Sequence, residues 1–160
     1  MKKKRIIMIV LVVAWMGLIF KFSSEPGNIS THKSDSVIKA IQGISKNTLS
    51  NEKKKTGFGY TVSIRKTAHV CSYLILSILI FTASTYITKS QLKSYRNAFI
   101  ISFIYAVSDE VHQFFIPGRT ATVRDVFIDM FGVVLGMCIV AIVLSIYKHK
   151  SNKKIGQRGV

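Results

Sequence analysis

Only two cysteines, Cys71 and Cys138, occur in the 160 residues, both inside apolar runs and neither with a motif partner. A disulfide-stapled secreted domain is therefore excluded. Acidic residues are scarce as well: 7 Asp and Glu stand against 23 Lys and Arg, giving a net charge of +16. The chain carries no internal repeat and no low-complexity segment. Apolar residues abound, with 49% of the chain hydrophobic and a mean hydropathy of +0.34, which excludes a disordered basic tail. A soluble domain of this length rarely pairs positive hydropathy with so large a charge imbalance. The two properties must be segregated along the chain, with basic residues flanking membrane spans.

Four apolar runs follow this pattern. Ile6 to Phe20 comes after Lys2, Lys3, Lys4 and Arg5 and is short for a span of roughly 20 residues. A signal peptide is the competing reading, but no small-x-small cleavage pattern follows, and Lys21 can snorkel, so an uncleaved anchor helix is expected. Ala68 to Ile87 and Val126 to Tyr147 are long enough to cross. Ala98 to Phe115 starts apolar and ends in Ser108, Asp109, Glu110, His112 and Gln113; it crosses if its polar end lies at the interface or faces other helices. The expected fold is all-α: an integral membrane bundle of four transmembrane helices at about 6–22, 68–87, 98–115 and 126–147, one domain over 1–160, with an outer loop at 23–67. With both termini cytoplasmic, Lys and Arg are about twofold denser in the inner segments than in the outer ones. In the outer loop, Val37, Ile38, Ile41 and Ile44 recur at helical spacing behind Ser34 and Asp35, as in a short amphipathic helix. Asn47 to Gly59 reads as a flexible loop.

The seven acidic residues are not scattered. Asp109, Glu110, Asp125 and Asp129 fall together at the end of the third helix and the start of the fourth. The start of the second helix brings Arg65, Lys66, His69 and Tyr73 to the same depth, and the end of the first brings Glu25. Residues three, four or seven apart share a helix face, which groups Tyr105, Asp109, His112 and Gln113, and separately Lys66, His69 and Tyr73. Asp125, Asp129, Gly132 and Gly136 form one stripe, whose Gly-x-x-x-Gly points into the bundle and lets a neighbouring helix approach. The turn Ile116-Pro117-Gly118 holds Arg119 above the bundle. Arg119 and Arg124 can pair with these carboxylates or bind an anionic head group or phosphate.

These blocks resemble the VanZ-like membrane proteins, whose namesake accompanies glycopeptide resistance clusters and lowers sensitivity to teicoplanin. The likeness covers most of the chain. It runs through Phe22-Ser23-Ser24-Glu25-Pro26-Gly27 with Ser30, Arg65-Lys66-x-x-His69-x-x-x-Tyr73, and Ser108-Asp109-Glu110-x-His112-Gln113-x-Phe115-x-Pro117-Gly118-Arg119, then Asp125, Gly132 and Gly136. The family usually has Gln in place of Glu25 and commonly Asn in place of Asp129. The resemblance implies a four-helix protein of the bacterial cytoplasmic membrane and supplies no reaction.

The expected site is an outward-facing polar pocket of Arg65, Lys66, His69, Tyr73, Asp109, Glu110, His112, Gln113, Arg119 and Asp125, with Gly132 and Gly136 as packing positions. Its expected partners are the lipid bilayer and an anionic lipid or lipid-linked wall component, and the likeness adds altered susceptibility to lipophilic glycopeptides. An enzyme acting on a head group stands as one alternative, with His69, Asp109, Glu110 and His112 supplying acid and base. A structural scaffold is the other. A metal held by those same four residues lacks a His-Glu-x-x-His or a cysteine pair, so neither metal nor cofactor is expected. The basic run Lys148, His149, Lys150, Lys153 and Lys154 has no aromatic interleaving. It reads as the inner anchor of the last helix, not as a nucleic-acid surface.

Overall fold

Stretches of backbone whose side chains are largely apolar satisfy their own N–H and C=O groups by forming helices, and the computed structural model of the chain is helical throughout most of its described residues, 2–26, 57–119 and 121–156. The elements are α1 (Lys2–Ser23), α2 (Gly57–Thr88), α3 (Gln91–Phe114) and α4 (Val123–Gly156). No strand occurs among the described residues.

Each helix runs past the apolar stretch that announces it. α2 starts at Gly57 rather than Ala68, so the loop expected over Asn47 to Gly59 ends inside a helix. α3 starts at Gln91 rather than Ala98, and α4 continues to Gly156 through the lysine-rich tail. Hydropathy marks the part of a helix that suits lipid; local capping and continued backbone bonding decide where the helix stops. At α3 the cap is visible: Ser90 is extended (φ −120°, ψ 122°) and its hydroxyl accepts from the Lys93 N–H at 3.5 Å. Only Lys89 and Ser90 separate α2 from α3, and Lys89 turns the chain with φ 53°. So short a link makes the two helices antiparallel neighbours. The amphipathic helix expected around Val37 to Ile44 lies outside the described residues.

α2 is the centre of the bundle and packs against α1, α3 and α4; α3 also touches α1 and α4. The interior combines a short apolar core, with Leu76, Ile80, Phe81 and Val133, and many small and polar side chains. α3 buries Ser94, Ala98, Ser102 and Ala106 one turn apart, and α2 contributes Ser77, Ala83 and Ser84 to the buried residues. Asn97 Nδ2 donates to Ser84 Oγ at 2.8 Å, tying α3 to α2. Tyr105 donates its hydroxyl to the Met16 carbonyl at 2.5 Å, and Trp15 Nε1 to the Ser72 carbonyl at 3.0 Å, seating α1 on α3 and α2. Many large apolar side chains point outward: Ile7, Val13, Phe103, Ile104, Phe127 and Ile142 are all exposed. A surface of this kind suits lipid, where close helix contact rests on small residues rather than on hydrophobic burial.

Among the described residues, three helices are long and apolar enough to cross a membrane: Lys2–Ser23, Arg65–Thr88 within α2, and Val123–Lys153 within α4. α3 is not among them. Its 24 residues are long enough, but Lys93 and Arg96 stand near its start and Asp109 and Glu110 near its end. Of the four spans expected from the sequence, the described residues form four helices, and three of these have the composition of a span.

Candidate functional site

Helices that alternate in direction bring the end of α1, the start of α2, the end of α3 and the start of α4 to one end of the bundle. The connection from α3 to α4 is a tight turn. Arg119 N–H donates to the Ile116 carbonyl at 3.1 Å, Pro117 follows Ile116, and Gly118 has φ 75°. Proline and then a residue of positive φ in the central positions are the marks of a type II turn, which glycine adopts without strain.

That turn delivers Arg119 inward. Its Nε donates to the Glu25 carbonyl at 2.9 Å, Nη2 to the Phe22 carbonyl at 2.8 Å and Nη1 to Gln113 Oε1 at 3.1 Å. Gln113 passes the order on, its Nε2 donating to Asp109 Oδ2 at 3.0 Å, and the Ser23 hydroxyl donates to the same oxygen at 2.9 Å. Arg119, Gln113 and Asp109 are all buried. Burial pulls the Arg119 guanidinium below its usual pKa and nearby Arg65 adds to this, while Asp109, Glu25 and Glu110 act the other way. This chain of bonds fixes the end of α1 to the end of α3 through backbone carbonyls that a helix terminus leaves without helical partners.

The carboxylates are divided among different tasks. Glu110 Oε1 accepts from the Thr122 N–H at 2.6 Å, immediately ahead of α4, and the Thr122 hydroxyl donates to Asp125 Oδ2 at 2.9 Å. Asp125 Oδ1 pairs with Lys66 Nζ at 2.9 Å, joining the starts of α4 and α2. His69 Nδ1 lies 3.5 Å from Asp129 Oδ1 and 4.0 Å from Asp109 Oδ2. Tyr73, one turn further along α2, is fully buried. His112 turns to α1: Nε2 meets Ser24 Oγ at 3.0 Å and the ring stacks on Phe20 at 4.2 Å.

The ten residues expected to share a pocket therefore all gather at this end, in three arrangements. Arg65, Lys66, His69, Glu110, Gln113 and Asp125, together with Ile128 and Asp129, line a cavity of about 20 Å³. Arg119 and Asp109 belong to the buried bonding chain beside it, with Tyr73 buried one turn further along α2, and His112 faces away toward α1. Two arrangements weighed from the sequence do not occur among the described residues. Arg119 bonds carbonyl and amide oxygens rather than the carboxylates of Asp109, Glu110, Asp125 or Asp129, because the turn aims it at the open end of α1; Arg124 is exposed. The metal set of His69, Asp109, Glu110 and His112 is not assembled, since Glu110 is held by Thr122 and His112 by Ser24.

Ser23, Ser24, Thr122 and Asp129 complete the cluster beyond the ten residues expected there. Asp129 has a legible signal in the sequence, the stripe it shares with Asp125 and the glycines. Ser23 and Ser24 stand in the Phe22–Gly27 block that carries the family resemblance, while Thr122 has no signal, since a hydroxyl ahead of a helix is an ordinary cap.

Outside this end, α3 and α4 diverge to leave an apolar groove of about 930 Å³, lined by residues such as Phe103, Val107, Val111, Phe115, Phe127 and Met130. Glu110 lines both the groove and the small polar cavity. The chain matches the VanZ/LLP1 family model over residues 8–144, a stretch that includes all of these positions. Neither the curated proteins nor the solved structures hold a match to it.

Proposed function

We propose that this chain, which belongs to the VanZ/LLP1 family, is a four-span protein of the bacterial cytoplasmic membrane. In this reading both termini are cytoplasmic, and the polar end faces outward to engage an anionic lipid or a lipid-linked wall component. α3 crosses with its charged ends at the two interfaces, sheltered by α1, α2 and α4. Through that contact the protein lowers susceptibility to lipophilic glycopeptides such as teicoplanin.

The observation that carries the reading is the continuity of groove and polar end at Glu110. A lipid presents an apolar chain joined to a charged head, and the surface presents an apolar groove joined to a charged rim. Magnitudes decide where the head sits. The cavity of about 20 Å³ has room for about one water, so a head group rests on the rim rather than inside it. Arg65 lines that rim with no ion-pair partner among the described residues, beside Lys66. Arg119 is committed to the protein's own carbonyls and serves to shape the rim.

A glycopeptide-susceptible bacterium expressing the wild-type chain should tolerate more teicoplanin than one carrying an empty vector. Arg65→Ala with Lys66→Ala should return it to the vector level at matched protein amounts. The partly exposed Lys66–Asp125 pair is worth about 1 kcal/mol or less, so the double variant keeps its fold. Full protection by that variant would contradict the role of the rim, and wild type no different from vector would remove the glycopeptide reading.

A further inference from the structure

Asp109 and Asp129 are each 2% exposed and lie on neighbouring helices. Arg119 is occupied by carbonyls and Lys66 by Asp125, and Arg65 on the rim makes no ion pair with either aspartate among the described residues. Among the described residues, only the His69 imidazole pairs with the two carboxylates. Two buried anions without matching positive charge are costly unless paired or coordinated to a metal.

We propose that His69 Nδ1, Asp109 and Asp129 bind a divalent first-row transition ion, zinc fitting best, with a fourth position open to the small cavity beside them. Three observations support this. The first is geometric: one ligand atom from each residue lies within 4.8 Å of the others. Ligands about 2.0–2.1 Å from a tetrahedral zinc stand about 3.3–3.4 Å apart, close to the 3.5 Å that separates His69 Nδ1 from Asp129 Oδ1. The second is unmet bonding: Asp109 Oδ1 is buried with no hydrogen-bond partner among the described residues, and so is the Tyr73 hydroxyl. Ser23 and Gln113 meanwhile hold Asp109 Oδ2, the kind of supporting shell that orients a metal ligand. The third is space: His69 and Asp129 line the cavity of about 20 Å³, enough for the one water that completes four-coordination.

The donor set narrows the ion. An imidazole nitrogen with two carboxylate oxygens suits zinc and its neighbours over magnesium or calcium, and the absence of thiolate disfavours copper(I). Two carboxylates and a divalent ion also sum to zero charge, which suits a buried site. The inference concerns the interior of the cluster and is independent of whether a lipid occupies the rim.

The test uses the full-length chain without a polyhistidine tag, purified in detergent, stripped with chelator and titrated with Zn2+ against a chromophoric competitor. Wild type should bind one equivalent, and its melting temperature should rise with zinc. Asp129→Asn keeps the shape and removes the charge; His69→Gln acts at the partly exposed edge of the site. Each should weaken zinc binding by a factor of roughly ten to a hundred or more and abolish the zinc-dependent rise in melting temperature. Comparable metal-free melting of all three proteins marks a loss of ligand rather than of fold, and should Asp129→Asn fail to fold, His69→Gln decides. Wild type that binds no zinc, or variants that bind it as tightly, would overturn the proposal.

Discussion

Arg119→Ala should be among the most damaging single substitutions in the chain, lowering the melting temperature of the purified protein by about 6–12 °C. Three oxygens lose their donor together: the carbonyls of Phe22 and Glu25 at the end of α1 and the Gln113 side chain at the end of α3. Hydrogen bonds from a charged group contribute about 1.5–3 kcal/mol each. Water reaching the opened end recovers part of that, so a net loss of about 3 kcal/mol is expected, which for a chain of this size corresponds to about 2–4 °C per kcal/mol. Arg119→Lys should recover little, because one ammonium cannot reach three acceptors spread around a planar fork. An unchanged melting temperature in Arg119→Ala would mean that α1 is not held by this residue.

The second large effect comes from Gly132. A Cβ there would fall on the Val70 carbonyl and stand 3.0 Å from the Val70 Cα. Backbone on both sides cannot give way, so α2 and α4 must separate. Gly132→Ala should cost about 2–3 kcal/mol, the upper part of the range for overpacked cores, and Gly132→Val more. Gly136 meets the Leu74 carbonyl and the Ser77 hydroxyl and should behave alike. Gly17 supplies the control: nothing lies within 4 Å of the place a Cβ would take there. Gly17→Ala should be neutral or stabilise by up to about 1 kcal/mol through helix propensity. Melting the three alanine variants side by side separates a packing effect from a glycine effect. Equal behaviour of Gly17→Ala and Gly132→Ala would contradict the close contact of α2 and α4.

These two residues also show how much of the molecule is legible in its sequence. The glycine stripe carries its own spacing, so the inward face of α4 can be read before its partner is known. The apolar runs mark four helices because lipid-facing side chains advertise themselves. Helix ends are less legible: Asn47 to Gly59 reads as polar loop, yet α2 begins at Gly57. α3 is ambiguous for a physical reason, since it buries serines and alanines rather than large apolar groups, and small residues leave little trace in hydropathy. At the site, the order of the helices places Asp109, His69 and Asp125 at one depth, but sequence does not say which partner a side chain chooses. Arg119 bonds backbone carbonyls, which no residue pattern encodes, and His112 stacks on the ring of Phe20 on α1, a contact between residues far apart in the chain.

The same limits explain why the pocket expected from the sequence is nearly closed. Ser23, Gln113, Arg119 and Thr122 satisfy most of the polar atoms that a ligand would otherwise contact. What remains for recognition is the Arg65 and Lys66 rim and the apolar groove next to it. The reading of function therefore rests on a lipid whose charge meets the rim while its chain fills the groove.

Native mass spectrometry of the detergent-purified chain, offered equimolar phosphatidylglycerol and phosphatidylcholine, tests that reading most directly. Basic residues near a membrane surface contribute about 1 kcal/mol each toward anionic lipid, so Arg65 and Lys66 together should favour phosphatidylglycerol roughly thirtyfold. Arg65→Ala with Lys66→Ala should erase the preference. Equal retention of the two lipids by the wild-type protein, or a preference unchanged in the double variant, would contradict it.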